Sequence, residues 1–184
     1  MNIPNAITIA RTLLIPVILY LLWREEYGAA FLLFSAAAVG DFLDGYLARR
    51  LDQRSQLGAL LDPAADKATM LGAVLLLAWQ GALPMWLAAA IVLRDLIIVV
   101  GALTYRALFG FLEVAPTWAS KLNTALEFLA VAAALAVAAE LLEPGGWLAV
   151  LYRLVALTVA VSGAQYVWVW GRKAMQSAAV RRPG

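Results

Sequence analysis

Asp41, Asp44, Asp62 and Asp66 stand in the stretch GDFLDGYLARRLDQRSQLGALLDPAADK, residues 40–67, with long apolar runs on both sides. Near a bilayer centre each carboxylate costs about 2.5–3.5 kcal/mol to insert, and like charges held together repel. A position near the interface lowers that cost. Lys67, Arg49 and Arg50 are too few to offset all four acids. Divalent cations can do so. The chain has no His and no Cys, which excludes disulfides, thiol nucleophiles and Cys/His zinc sites. An all-carboxylate donor set selects hard ions such as Mg²⁺, Mn²⁺ or Ca²⁺. Two such ions bridged by carboxylates are a recurring device for displacement at phosphorus. Any general base must then be a carboxylate or an unusual Lys or Tyr. A proton or cation relay and a set of buried ion pairs are the other readings that the acids alone leave open.

Helical spacing sharpens the pattern. Each residue of an α-helix advances about 100°, so Asp41, Asp44, Gly45 and Ala48 share one stripe, and Gly58, Asp62 and Asp66 share another. The connection between them is short, which makes the two helices antiparallel neighbours with facing acidic stripes. Gly45, Ala48 and Gly58 remove bulk beside the acids. That suits close helix packing, and it also lets a ligand lie against backbone. Arg49 at the stripe's edge and Arg50 after it are suited to holding phosphate.

The elements that must carry these residues are membrane helices. The chain has 184 residues, 64% hydrophobic and only 14% charged, with a mean hydropathy of +0.83. Six runs approach the ~20 apolar residues a span needs: 6–23, 27–50, 57–80, 83–106, 119–141 and 147–171. Little chain remains outside them. The expected fold is all-α, a polytopic bundle of six transmembrane helices forming one domain over residues 1–184. Asn5, Thr8 and Arg11 lie three apart after Pro4, so a short interfacial N-terminal helix is expected to lead into the first span. That first run carries Arg11 and lacks a small-x-small cleavage site, and it is expected to be retained. No internal repeat is present. Trp23, Trp79, Trp86, Trp118, Trp147, Trp168 and Trp170 fall near span ends, where interfacial aromatics belong.

Charge outside the runs sets orientation. Arg49, Arg50, Arg54, Arg106, Lys121, Arg172, Lys173, Arg181 and Arg182 collect at one set of ends. The opposite ends hold Arg24 with Glu25 and Glu26, no basic residue around Gln80–Leu83, and Glu140 with Glu143. Basic ends face the cytoplasm, which places both termini, the 51–56 loop and the acidic site on that side. The net charge of +2 is topological and offers no nucleic-acid surface, although the basic tail suits anionic lipid head groups. Arg94, Asp95, Glu127 and Arg153 are further charges inside the runs. Each suits either a function or a structural pair.

The whole stretch has the form D-x2-D-G-x2-A-R-x8-G-x3-D-x3-D, filled by Asp41, Asp44, Gly45, Ala48, Arg49, Gly58, Asp62 and Asp66. It resembles the motif of the CDP-alcohol phosphatidyltransferases at every fixed position. NIPNAITIARTLLIP is similar to the amino-terminal segment of members that use glycerol-type acceptors, and six spans match the family architecture. The resemblance implies transfer of a phosphatidyl group from CDP-diacylglycerol to an alcohol with release of CMP. It implies two divalent cations, Mg²⁺ or Mn²⁺, held by Asp41, Asp44, Asp62 and Asp66, with Asp66 also the general base. It places Gly45, Ala48, Arg49 and Gly58 at the CDP pocket and implies a homodimer.

The motif handles the donor, so the acceptor must be read elsewhere. LRDLIIVVGALTYR, SGAQYVWVW and the Pro116, Thr117, Ser120, Lys121, Asn123, Thr124 arrangement resemble the cardiolipin synthases of the family. Phosphatidylglycerol is therefore the expected acceptor, and glycerol 3-phosphate, as in phosphatidylglycerophosphate synthases, is the alternative. Arg94 and Lys121 are the candidates for the acceptor phosphate. A membrane-end anchor and an ion pair with Asp95 are their plainer roles. The reading from another class is a small cation or proton transporter with the aspartates as relay. The compact chain with no transit peptide points to a bacterial inner membrane.

Overall fold

In a bilayer every backbone N–H and C=O must be satisfied within the chain, and a helix does this within one segment. The computed structural model describes the backbone of residues 3–51, 56–109 and 117–180, and the side chains of 13–40, 67–108 and 117–172. Among the described residues the regular structure is all helical: α1 Ile3–Trp23, α2 Tyr27–Leu51, α3 Gln56–Trp79, α4 Met85–Phe109, α5 Trp118–Ala138 and α6 Gly146–Val180. The six helices overlie the six apolar runs. Two differences stand out. The expected lead-in helix is continuous with the first run, as Ile3–Trp23 is one helix. At the other end α6 has 35 residues and continues past its apolar run into the basic tail.

Among the described residues, three helical segments are long and apolar enough to cross a membrane: Met85–Leu108, Trp118–Ala138 and Gly146–Arg172. Leu13–Trp23, Tyr27–Gly40 and Lys67–Trp79 are shorter apolar helical stretches. The outward surfaces suit lipid. Leu93, Leu96, Val100 and Leu103 of α4 and Val150, Leu157 and Val161 of α6 are exposed, which would be an aggregation hazard in water.

The chain divides into two compact units. One comprises Met1–Met85 with Val131–Gly145. In it α1 packs against both α2 and α3, and its core includes Ile18, Leu22, Phe34, Val74 and Leu77. Gly72 of α3 lies against Leu19, whose Cδ2 is 2.7 Å from where a Cβ at position 72 would sit. A glycine permits that approach. Gln80 donates from Nε2 to the Leu22 carbonyl at 2.6 Å, joining the ends of α3 and α1.

The helices α1, α3 and α5 end alike, each with a residue in the left-handed region two positions past its last helical residue. These are Glu25 at φ 59°, Gly81 at φ 79° and Glu140 at φ 57°. Glu25 and Glu26 donate to the carbonyls of Leu22 and Leu21, and Glu140 and Leu141 to those of Val137 and Ala136. This pair of bonds closes a Schellman cap and satisfies carbonyls that the helix leaves open.

The other unit comprises Trp86–Ala130 with Gly146–Gly184. Leu87, Ala88, Ile91, Arg94 and Asp95 of α4 are buried, as are Val155, Val159, Ser162, Tyr166 and Trp170 of α6. Both sets recur three or four residues apart, as one helix face requires. This interior carries a polar layer.

Candidate functional site

Asp41, Asp44, Gly45, Ala48 and Arg49 all lie on α2, and Gly58, Asp62 and Asp66 all lie on α3. Each half of the motif is therefore carried by one continuous helix, at positions one turn apart. The side chains of these eight residues lie outside the described ones, as does whether the two acidic stripes face each other. Among the described residues no group of three or more His, Cys, Asp or Glu could hold a metal.

The described polar chemistry centres on Arg94, which is only 5% exposed. Its Nη1 donates to Asp95 Oδ1 at 2.9 Å. Its Nη2 donates to Ser120 Oγ of α5 at 2.9 Å and to Ser162 Oγ of α6 at 2.7 Å. The guanidinium carbon lies 6.0 Å from the centroid of the Tyr166 ring, within range of a cation–π attraction. Nε is buried without a hydrogen-bond partner. A buried cation is tolerable when paired and hydrogen-bonded, and Asp95 and the two serines meet that need. One side chain thus joins α4, α5 and α6. The ion pair considered for Arg94 and Asp95 is present, and the serine contacts come in addition.

The start of α5 is built around Ser120. Thr117 precedes the helix and accepts the Ser120 backbone N–H on Oγ1 at 3.2 Å, the arrangement of an N-cap. Lys121 follows, exposed, with Nζ 5.2 Å from the centroid of the Trp118 ring. Its backbone N–H donates to the Thr117 carbonyl at 3.1 Å. A cation in the first helical turn stands at the positive end of the helix dipole, a pairing that favours an anion there.

Deeper along α5 lies a second polar group. Asn123, fully buried, donates from Nδ2 to Glu127 Oε1 at 2.7 Å. The Thr158 hydroxyl of α6 lies 2.9 Å from both Asn123 Oδ1 and the Val155 carbonyl and shares its hydrogen between them. Glu127 is 3% exposed, so it joins Arg94 and Asp95 among the charges whose role the sequence left open as an interior group. Arg153, by contrast, is exposed on α6.

Sequence reasoning singled out Arg94, Ser120, Lys121 and Asn123 but not their partners on α6, Ser162 and Thr158. Ser162 lies in SGAQYVWVW and Thr158 in an apolar run, and their signal was a lone hydroxyl at helical spacing from Tyr166. Trp170 corrects an expectation. It is 8% exposed, whereas Trp23, Trp79, Trp86, Trp118, Trp147 and Trp168 are exposed. Its ring lies against Gly101 of α4 and meets Tyr166 edge-on at 5.5 Å.

Comparison with known proteins bears on most of the chain. A family model described as CDP-alcohol phosphatidyltransferase matches residues 1–170. A CDP-diacylglycerol–glycerol-3-phosphate 3-phosphatidyltransferase of Pseudomonas fluorescens is 43% identical over 143 residues, covering 74% of this chain and 73% of that protein. A CMP-forming cardiolipin synthase of Homo sapiens is 33% identical over 191 residues, covering 95% of this chain and 63% of that protein. A CDP-diacylglycerol–glycerol-3-phosphate 3-phosphatidyltransferase of Escherichia coli K12 is 37% identical over 139 residues, covering 71% of this chain and 75% of that protein. The chain thus spans less than two thirds of the human relative's length.

Proposed function

The chain belongs to the CDP-alcohol phosphatidyltransferase family, and from that premise we propose that it transfers a phosphatidyl group from CDP-diacylglycerol to an alcohol, releasing CMP. The observation that carries this reading is the complete eight-residue motif on two successive helices, α2 and α3, inside a family match over residues 1–170.

The roles follow from residue chemistry. Four carboxylates without His or Cys fit two hard divalent cations, Mg²⁺ or Mn²⁺, and Asp41, Asp44, Asp62 and Asp66 are the residues to hold them. When bound, such ions neutralise the diphosphate and stabilise departing CMP. Gly45, Ala48 and Gly58 leave room for the nucleotide to lie against backbone, and Arg49 takes a diphosphate oxygen. Asp66 accepts the acceptor's hydroxyl proton as the new O–P bond forms and the bond from phosphorus to the CMP oxygen breaks. Lys121, exposed in the first turn of α5, supplies the positive charge for the acceptor's phosphate, with Arg94 buried behind its neighbour Ser120.

The whole chain, 1–184, acts as one membrane domain of six spans, as a homodimer. Both termini and the active site face the cytoplasm, in a bacterial inner membrane. The donor's acyl chains then stay in the bilayer while its nucleotide reaches the polar site.

The acceptor is phosphatidylglycerol and the product cardiolipin. The segment 116–124 and a match to a cardiolipin synthase over 95% of this chain support this choice. The second reading, glycerol 3-phosphate as acceptor, is favoured by the higher identity to the Pseudomonas relative. An acceptor panel decides between them: purified protein, radiolabelled CDP-diacylglycerol and Mg²⁺ or Mn²⁺, with lipid products separated. Cardiolipin formed only with added phosphatidylglycerol is the expected result. Phosphatidylglycerophosphate without cardiolipin would establish the second reading. Cation flux with no CMP release would refute transfer altogether.

A further inference from the structure

We propose that Arg94 is a positioning residue: it holds the first turn of α5, and with it Lys121, in place, and does not itself bind the acceptor. The inference rests on the reading that Lys121 takes the acceptor's phosphate.

The geometry of the guanidinium carries the argument. An arginine grips phosphate through two parallel N–H groups on one edge. Both usable edges, Nη1/Nη2 and Nε/Nη2, include Nη2. In this chain Nη2 has spent both hydrogens, one on Ser120 Oγ and one on Ser162 Oγ, while Nη1 serves Asp95. Neither edge is open. The side chain is 5% exposed, and the Tyr166 ring lies over the guanidinium. Capturing a phosphate would mean breaking one of the charge-assisted bonds to Asp95, Ser120 or Ser162 and leaving that partner without its donor.

What the arrangement does well is hold position. Ser120 is bound on two sides, its hydroxyl by Arg94 and its backbone N–H by Thr117. Arg94 is in turn fixed by Asp95 on α4 and Ser162 on α6. The start of α5 is thereby referenced to two other helices at one point. Lys121 is the next residue, with its ammonium over Trp118 of the same turn. Loosening the Arg94–Ser120 bond lets that turn shift while Lys121 keeps its charge.

The test is steady-state kinetics on the purified full chain with Lys121→Met, Ser120→Ala, Arg94→Lys and the double variant Ser120→Ala/Lys121→Met. Ser120→Ala removes this one bond and leaves Arg94 held by Asp95 and Ser162, so it keeps the test informative if Arg94 variants fail to fold. Ser120→Ala is expected to raise the acceptor KM roughly three- to tenfold, the weight of one hydrogen bond, with the KM for CDP-diacylglycerol unchanged. Arg94→Lys should do the same, because an ammonium cannot bridge three partners in a planar fork. In the Lys121→Met background the Ser120→Ala effect should vanish, since there is no ammonium left to position. An unchanged acceptor KM in Ser120→Ala, or an effect that multiplies fully with Lys121→Met, overturns the inference. Wild-type protein that releases no CMP overturns the transferase reading as well, a result distinct from either.

Discussion

Trp170 of α6 occupies the space that a side chain at Gly101 of α4 would need. The indole packs directly on the α4 backbone there and is 8% exposed. Small residues let membrane helices approach closely enough for van der Waals contact to hold them. The same contact continues from Trp170 through Tyr166 to Arg94, so an apolar joint and the polar layer share one stripe of α6.

Gly101→Ala should therefore destabilise the chain by about 1–3 kcal/mol, the usual consequence of overpacking. Gly163→Ala is the control, because its Cβ would meet only Arg94 Cγ at an ordinary 3.7 Å. Thermal unfolding in detergent should show a lower midpoint for the first and little change for the second. Equal midpoints for the two variants would mean the helices are not in this contact.

The left-handed glutamates lead to the opposite sign. Glu25 and Glu140 hold φ near 60°, a conformation that costs a residue with a Cβ about 1–2 kcal/mol. Glu140→Gly should raise the unfolding midpoint by relieving that strain, offset in part by glycine's larger backbone entropy in the unfolded chain. Gly81→Ala, at φ 79°, should lower it. A Glu140→Gly variant less stable than the parent would show that the glutamate makes a compensating contact.

Asn123 bridges Glu127 and Thr158 inside the helix pair α5 and α6. Asn123→Leu should cost more than a surface change, about 1–3 kcal/mol, because it takes a donor from the buried Glu127 carboxyl group and one of two acceptors from the half-buried Thr158 hydroxyl. Thr158→Val removes only one end and should cost less. Chemical denaturation of both, compared with Asn123→Leu/Thr158→Val, measures the coupling; strictly additive losses would mean the three groups do not act together.

For the proposed chemistry, Asp66→Asn should lower CMP release by about 10²–10⁴-fold, the range for a missing general base. Chelation with EDTA should stop turnover, and Mg²⁺ or Mn²⁺ should restore it. Full turnover in Asp66→Asn would remove that residue from the proton-transfer role.

The spacing of Asp41, Asp44, Asp62 and Asp66 was legible without coordinates because a helix repeats every 3.6 residues and the motif is local to two helices. The six helical runs were legible for a related reason: apolar length determines what can span a bilayer. Ser120 and Ser162, in contrast, are 42 positions apart in the chain, and nothing local says that both would meet Arg94. An isolated serine in an apolar run looks the same whether it bonds its own backbone or another helix. The aromatic pattern misled at Trp170 because lipid-facing and helix-facing tryptophans have the same composition near a span end. Only the neighbour, a bare Gly101 backbone, distinguishes them.

By itself, then, the order of residues determined the helical runs, the spacing of the motif and the family, all of which are written within single segments. The tertiary structure decided which polar groups are interior and which partners they take. Those pairings depend on where separate helices approach, and the approach is governed by packing of small and large side chains that no single segment encodes.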